Sequence, residues 1–382
     1  MPLDFTRSWT EPDLDQYRDT VVRFIEDEMA PQDAAAREQG HVGHEIWRRA
    51  GSLGLLCADI PEPYGGGGGD FRHEAVFYEE MARRGLSGMN TSVHSIVAHY
   101  LLNHGTDAQK AYYLPRMSRG ELVGAIAMTE PAAGSDLQGI RARAEKHGDN
   151  YVLNGAKTFI TNGYLAGLVL VVAKTDPAQG ARGTSIFIVE TEACQGFSVG
   201  RVLDKVGMHA QDTSELFFDD VQLSADRLLG GAEGQGFFQL MSDLPYERLI
   251  IGVSALATME GAYAATLAYV RERKAFGKPL ADQQNTKFKL AEIATQIKVG
   301  RAFIDRCVED LVAGRLDTAT ASMAKLWGSE TQGRVVDECV QLFGGYGYMM
   351  EYPIARMYVD ARVQRIYGGT SEIMKEVIAR SL

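Results

Sequence analysis

Thirty residues from Glu247 to Phe276, "ERLIIGVSALATMEGAYAATLAYVRERKAF", contain no proline and two glycines before Gly277-Lys278-Pro279 ends the run. A helix this long and this apolar needs other helices to cover it. Two comparable stretches follow, "NTKFKLAEIATQIKVGRAFIDRCVEDLVAG" and "DTATASMAKLWGSETQGRVVDECVQLFGG", each after a short break. Three such helices predict an antiparallel bundle, with the segment after Thr370 as a fourth member.

The texture upstream changes twice. Up to about residue 120 the pattern is helical: "DLDQYRDTVVRFIEDEMA" is halted by Pro31, and "HEIWRRAGSLGLL" and "FRHEAVFYEEMARRG" have similar spacing. From 121 to 230 the segments "LVGAIAMTE", "YVLNGAKTFITNG", "LVLVVAKT", "TSIFIVE" and "SELFFDDVQL" are short and β-branched, with Gly, Asn and Asp between them. That predicts a sandwich or barrel. The expectation is an α+β multidomain chain: an N-terminal all-α domain over 1–120, a middle β domain over 121–230 and a C-terminal helical bundle over 231–382. The glycine run in "PEPYGGGGGD", residues 61–70, follows no clear strand and lacks a P-loop Lys-Ser/Thr, so it reads as a flexible surface loop.

Charge narrows the function. A net charge of −11 supplies no basic face for nucleic acid. The four cysteines, Cys57, Cys194, Cys307 and Cys339, form no CxxC and read as reduced thiols, and the histidines form no HExxH, so no metal site is expected. No apolar run reads as a transmembrane segment, and the acidic N-terminal stretch lacks a signal-peptide core, so a cytoplasmic protein is the expectation.

One stretch is too rich in small residues to be core, and others carry candidate chemistry. "AMTEPAAGSD", residues 127–136, leaves strand-end amides free to donate to an acceptor-rich ring or a phosphate, or is simply a well-made turn. "FITNG", residues 159–163, adds an aromatic face. "RERKAFGKPLADQQNTKF" sets cations at a helix end, where they complement the dipole. Near the end, "VQRIYGGTSEIMKEVIARSL" places Gly368 and Gly369 before Thr370 and Ser371; the pair is either an ordinary turn or a backbone left bare for a close neighbour.

In this order across such a chain, "AMTEPAAGSD", "FITNG", "RKAFGKPLADQQ", "QLFGGYGYMMEYP" and "YGGTSEIM" resemble the acyl-CoA dehydrogenases over essentially the whole length. "LPYERL", "AQDTSELFFDDV", "LDTATASMAK" and "YVDARVQRIYGGTSEIMKE" are most similar to the long-chain branch. The resemblance implies FAD as cofactor, acyl-CoA as substrate, an electron-transfer flavoprotein as acceptor, and a homotetramer built as a dimer of dimers. By the same resemblance, Ile126, Ala127, Met128, Thr129, Gly134 and Ser135 would face the flavin, Ser135 also reaching the thioester arm. Phe159, Ile160 and Thr161 would cover the ring's other side. Arg273, Phe276, Gln284 and the segment Gln341, Leu342, Phe343, Gly344, Gly345 would hold the FAD of a neighbouring subunit. Thr370, Ser371 and Glu372 would meet the cofactor's phosphate and ribityl end, which agrees with a helix start as an anion site.

The reaction implied is α,β-dehydrogenation, with a carboxylate removing the α-proton and the β-hydrogen leaving as hydride to flavin N5. Many relatives carry that carboxylate as the Glu of Tyr-Glu-Gly-Thr, a position occupied here by Gly368. In the long-chain and isovaleryl branches the base lies on the upstream helix, where Glu247 matches; read without the family, Glu247 after Pro245 is an ordinary helix-start acid. Gly368 and Gly369 would then lie bare against the thioester, the Gly368 amide donating to its carbonyl. Arg182 and Arg248 are candidates for the anionic CoA, and Phe238 and Tyr246 for the acyl or pantetheine channel. Medium or long straight chains are the expected substrates. A branched-chain or isoprenoid-type enzyme (isovaleryl-like or citronellyl-like), an oxidase of the same fold, and a non-catalytic acyl-CoA or flavin-binding scaffold are the alternatives.

Overall fold

The helical first segment is punctuated by its own capping residues. In the computed structural model, which describes residues 5–382, α1 (Pro12–Phe24) opens with proline, whose missing N–H is unneeded in a first turn. Its axis continues through a π-turn over Ile25–Met29. Short helices α2 (Asp33–Gln39) and α3 (His44–Ser52) follow. Helix α4 (Phe71–Arg83) is opened by a capping box between Asp70 and His73. Asn90 caps α5 (Thr91–His104), and Thr106 with Gln109 caps α6 (Asp107–Ser118).

The glycine run is not a free loop. The amides of Gly67, Gly68 and Gly69 donate to the carbonyls of Cys57, Ile60 and Ala58. A Cβ on Gly66 would lie 2.1 Å from the Ile60 carbonyl oxygen. Close backbone approach, rather than flexibility, is what these glycines serve.

Among the described residues the middle segment forms one seven-stranded sheet from β1 (Gly124–Ala127), β2 (Arg143–His147), β3 (Asn150–Thr161), β4 (Leu168–Lys174), β5 (Thr184–Glu190), β6 (Phe197–Val202) and β7 (Thr213–Ser224). The order is β1-β4-β2-β3-β7-β6, with β5 antiparallel on β4. Strand β4 is buried at every residue, as its continuous apolar run requires. Strand β2 is largely exposed and polar, and β6 is short and only partly buried, which hides both from a hydrophobic reading.

The last segment is dominated by α7 (Gly236–Glu272), packed with α8 (Gln284–Val312), α9 (Thr318–Phe343), α10 (Pro353–Ala361) and α11 (Ser371–Ala379). Helix α7 begins well before Pro245, so Glu247 lies inside a helix and is not a helix-start residue. Among the described residues α7 is the one helix long and apolar enough to cross a bilayer by length and composition, but 72% of its most apolar window is buried within the protein, as in a core helix.

One buried guanidinium ties the first segment to the last. Arg301 on α8 bonds Glu79 of α4 at 2.6 Å, Glu260 of α7 at 2.6 Å and Asp305 at 3.1 Å. Arg7 and Arg83 reach the same carboxylates, at 2.6 Å to Glu79 and 2.6 Å to Glu260. Removing one partner of such a cluster strands buried charge. Arg301→Ala is therefore expected to lower unfolding free energy by about 3–5 kcal/mol, read from denaturant midpoints. A loss under about 1 kcal/mol would show that Arg7 and Arg83 suffice.

Candidate active site

Glu247 sits at the contact between α5 and α7. Its carboxylate is 9% exposed, and Oε1 accepts a hydrogen bond of 2.9 Å from the phenol of fully buried Tyr100. Burial pushes the carboxyl up to about 7; the Tyr100 bond opposes, the Asp243 charge adds, and Arg248 subtracts. A buried carboxyl titrating near neutrality is what a general base needs. The neighbouring Arg248 does not clamp it: its Nη1 donates to Ser322 on α9 at 2.9 Å.

Gly368 and Gly369 both have left-handed backbones, with φ of +61° and +93°. A Cβ at Gly368 would stand 2.6 Å from Ile251 Cδ1, on α7 one turn beyond Glu247. Backbone conformation and Ile251 are thus local reasons for the bare position, in addition to any bound thioester. Fully buried Lys325 of α9 donates Nζ to the Gly369 carbonyl, and burial lowers its amine to about 8. Sequence reasoning passed over Lys325, although it ends the quoted "LDTATASMAK".

The loop after β1 and the end of β3 are stapled together. Lys157 Nζ reaches the Met128 carbonyl at 3.0 Å and Glu130 at 2.8 Å, while the Thr158 amide donates to the Thr129 carbonyl at 3.0 Å. Glu130 also accepts from the Arg141 and Ala142 amides at 2.6 and 2.9 Å. Asn162 joins this end of β3 to the Gly124 carbonyl at 3.1 Å. A register shift against β7 between Lys157 and Ile160 turns Phe159 outward, at φ +60° and 67% exposed. Ile126, Met128, Thr129 and Thr161 are half-buried, Gly134 and Ser135 exposed, and Ala127 and Ile160 buried. Ala127 and Ile160 therefore offer a ligand no side-chain surface.

A second group gathers at the far end of the bundle. Arg273, Gln341, Leu342, Phe343, Gly344 and Gly345 line one cavity of about 690 Å3, with Arg273 5.7 Å over the Tyr346 ring. Gln284 and Phe276 are exposed nearby in sequence but do not line it; Phe276 is 97% exposed. At α11, Thr370 caps the Ile373 amide, Ser371 donates to Glu330 at 2.7 Å, and Glu372 is exposed.

Four substrate candidates divide. Tyr246 is buried, stacked on His99 at 4.1 Å with its hydroxyl 3.2 Å from Asp59, so it packs within the helices. Arg248, 4% exposed and held by Ser322, presents no charge to an open surface, which sets it against a role at CoA. Phe238 and Arg182 are exposed.

The acyl-CoA dehydrogenase N-terminal, middle and C-terminal domains match residues 11–121, 125–221 and 234–382. The chain is 51% identical to the long-chain specific acyl-CoA dehydrogenase, mitochondrial, of Mus musculus, over 96% of its own length and 86% of the relative's. An acyl-CoA dehydrogenase structure from Geobacillus kaustophilus superposes with a TM-score of 0.95 at 44% identity, covering 98% of this chain and 99% of that one. A glutaryl-CoA dehydrogenase from Mycobacterium smegmatis in complex with FADH2 gives 0.90 at 29% identity, over 97% and 95%.

A carboxyl raised from 4.5 to about 7 in the folded protein binds its proton more tightly there than in the unfolded chain. The stability it contributes is complete below about pH 4.5 and is lost as pH rises through about 7. Glu247→Gln is expected to be the more stable protein at pH 8, by about 2–3 kcal/mol, with the advantage vanishing towards pH 4–5. Urea titrations across that range check it; a difference independent of pH would place the Glu247 carboxyl near its ordinary value.

Proposed function

The chain belongs to the acyl-CoA dehydrogenase family, oxidoreductases acting on CH–CH groups, and on that premise we propose that it dehydrogenates an acyl-CoA thioester at α and β with FAD as cofactor and Glu247 as base. One observation carries the assignment: Glu247 is a buried carboxylate on α7, anchored through a single oxygen, with a value near neutrality. Its other oxygen is free to take the α-proton. Tyr100 steadies the carboxylate while the proton transfers, and dry packing between α5 and α7 keeps water from competing. The Gly368 amide, its turn held by Lys325 at the next carbonyl, is the donor proposed for the thioester oxygen.

The surfaces present fit FAD. Phe159 stands out at a bulge beside a stapled loop, and Gly134, Gly344 and Gly345 have open space where a side chain would stand. The exposed and half-buried positions from Ile126 to Ser135, with Phe159 and Thr161, would hold the ring, and Thr370, Ser371 and Glu372 the phosphate and ribityl end. Arg273, Phe276, Gln284 and 341–345 would serve the FAD of a neighbouring subunit in a homotetramer; the open cavity and the exposed Phe276 support that sharing. When bound, FAD supplies the acceptor for the hydride leaving the β-carbon, and an electron-transfer flavoprotein is the proposed onward partner. Medium or long straight-chain thioesters are the proposed substrates, by similarity to the long-chain enzyme of Mus musculus.

Anaerobic mixing with straight and branched acyl-CoAs, followed by flavin absorbance, tests this. Wild-type protein should bleach fastest with medium or long straight chains. Bleaching confined to short branched thioesters would keep the chemistry and move the substrate. Glu247→Gln should bind acyl-CoA and remain oxidised; prompt bleaching would remove Glu247 from the role. Adding Gly368→Glu should restore part of the rate only when Ile251→Ala makes room for the new Cβ. Recovery without that trimming would mean Ile251 does not guard the position.

A further inference from the structure

Glu247 is held by a ladder between two helices that run in opposite directions. Tyr100 on α5 meets Glu247 at 2.9 Å. One turn along, Asn103 and His104 meet Asp243 at 2.6 and 2.7 Å. Tyr100, Asn103 and His104 stand at i, i+3 and i+4 on α5; Asp243 and Glu247 stand at i and i+4 on α7. As numbering rises on α5 it falls on α7, so two adjacent turns of each helix are locked in register.

We propose that Tyr100 and Asp243 are positioning residues acting on Glu247 from opposite sides: Tyr100 fixes one carboxylate oxygen and favours the ionised base, whereas Asp243 holds a second negative charge one turn away and favours the protonated acid. The inference rests on the reading of Glu247 as base. The groups that act on Glu247 are Tyr100 from α5, and Asp243 and Arg248 from its own helix. Arg248 is adjacent in sequence, so it leaves on another face, where its Nη1 donates to Ser322. Arg248 thus acts on the base through its charge and makes no hydrogen bond to it; a carboxylate paired directly to arginine would be too weak to take a proton from carbon.

The two influences need each other. A fully buried carboxyl without a donor drifts upward and stays an acid; one with only donors drifts down and loses basicity. Tyr100 has no other polar contact that competes for its hydroxyl among the described hydrogen bonds. Asp243, 6% exposed, is satisfied on both oxygens by Asn103 and His104, which fixes it where it acts on Glu247. His104 also touches Ser242 at 3.2 Å, so the outer end of the ladder reaches the half-exposed face of α7.

The test reads Glu247 directly. In the holoenzyme, its carboxylic C=O stretch is isolated as the infrared difference against Glu247→Gln in each background and titrated from pH 5 to 9. Tyr100→Phe should move the midpoint up by about one pH unit, and Asp243→Asn should move it down by a similar amount. The anaerobic flavin-reduction rate should follow, with Tyr100→Phe about tenfold slower on the acid side of the wild-type midpoint. Midpoints that stay put, or that move the same way in both variants, overturn the proposal. If Tyr100→Phe fails to fold or to retain FAD, Asp243→Asn decides alone: a downward shift supports the proposal and anything else overturns it. Failure of the base reading looks different, since Glu247→Gln would then still reduce the flavin whatever the infrared midpoints do.

Discussion

A carboxyl reaches a value near neutrality only where water is scarce, as the base proposed at Glu247 requires, and here the scarcity comes from α5 lying on α7. Those helices belong to the first and last of the chain's three segments. Tyr100 and Glu247 are 147 residues apart, yet their bond closes inside a contact with almost no solvent. The environment of Glu247 is therefore made by neither helix alone. Desolvation raises it, and what returns it to a useful range is hydrogen bonding supplied across the joint.

Other buried charges follow the same rule of being placed at joints. Arg301 locks α4 to α7 and α8, the very packing that fixes where α5 can lie. Lys157 and Glu130 fasten the loop after β1 to the end of β3, and Lys325 fastens the glycine turn to α9. Each costs desolvation and is satisfied by two or more partners or by a backbone carbonyl. None adds to a core that apolar side chains would not fill better. What they add is a definite relation between elements that a greasy contact would leave free to slide.

Much of this arrangement is legible in the sequence, and the illegible parts share a cause. The long helices are readable because proline-free apolar periodicity has few alternatives, and β4 because its run is continuous. Strands β2 and β6 carry exposed polar residues, so their sheet membership is decided by backbone pairing with β3, β4 and β7. Glu247 is identifiable from its motif, but Pro245 misleads, because α7 begins nine residues before that proline. The glycine run looks like a linker by composition; its amides pair with Cys57, Ala58 and Ile60, which composition does not report. Tyr100, Asn103 and His104 look like any helical polar residues, since their partners lie about 140 residues away. Arg248, plausible as an anion site by its neighbour, is turned inward by a hydroxyl on another helix.

The glycine at 368 and the glutamate at 247 are best understood as one choice. A carboxylate at 368 would have to spring from a left-handed backbone and displace Ile251, whereas one at 247 comes from regular helix and keeps Ile251 packed. On the proposed reading, with the base on α7, the 367–370 turn is released from carrying the acid–base group and can present bare amide and carbonyl groups instead. The carbonyl of Gly369 is then taken by Lys325, whose ammonium sits beneath the turn and leaves the amide side open. The proposed placement of the acid–base group on the rigid helix would leave the turn the electrostatic half of the work, and each element has its own buried partner: Tyr100 for the carboxylate, Lys325 for the turn.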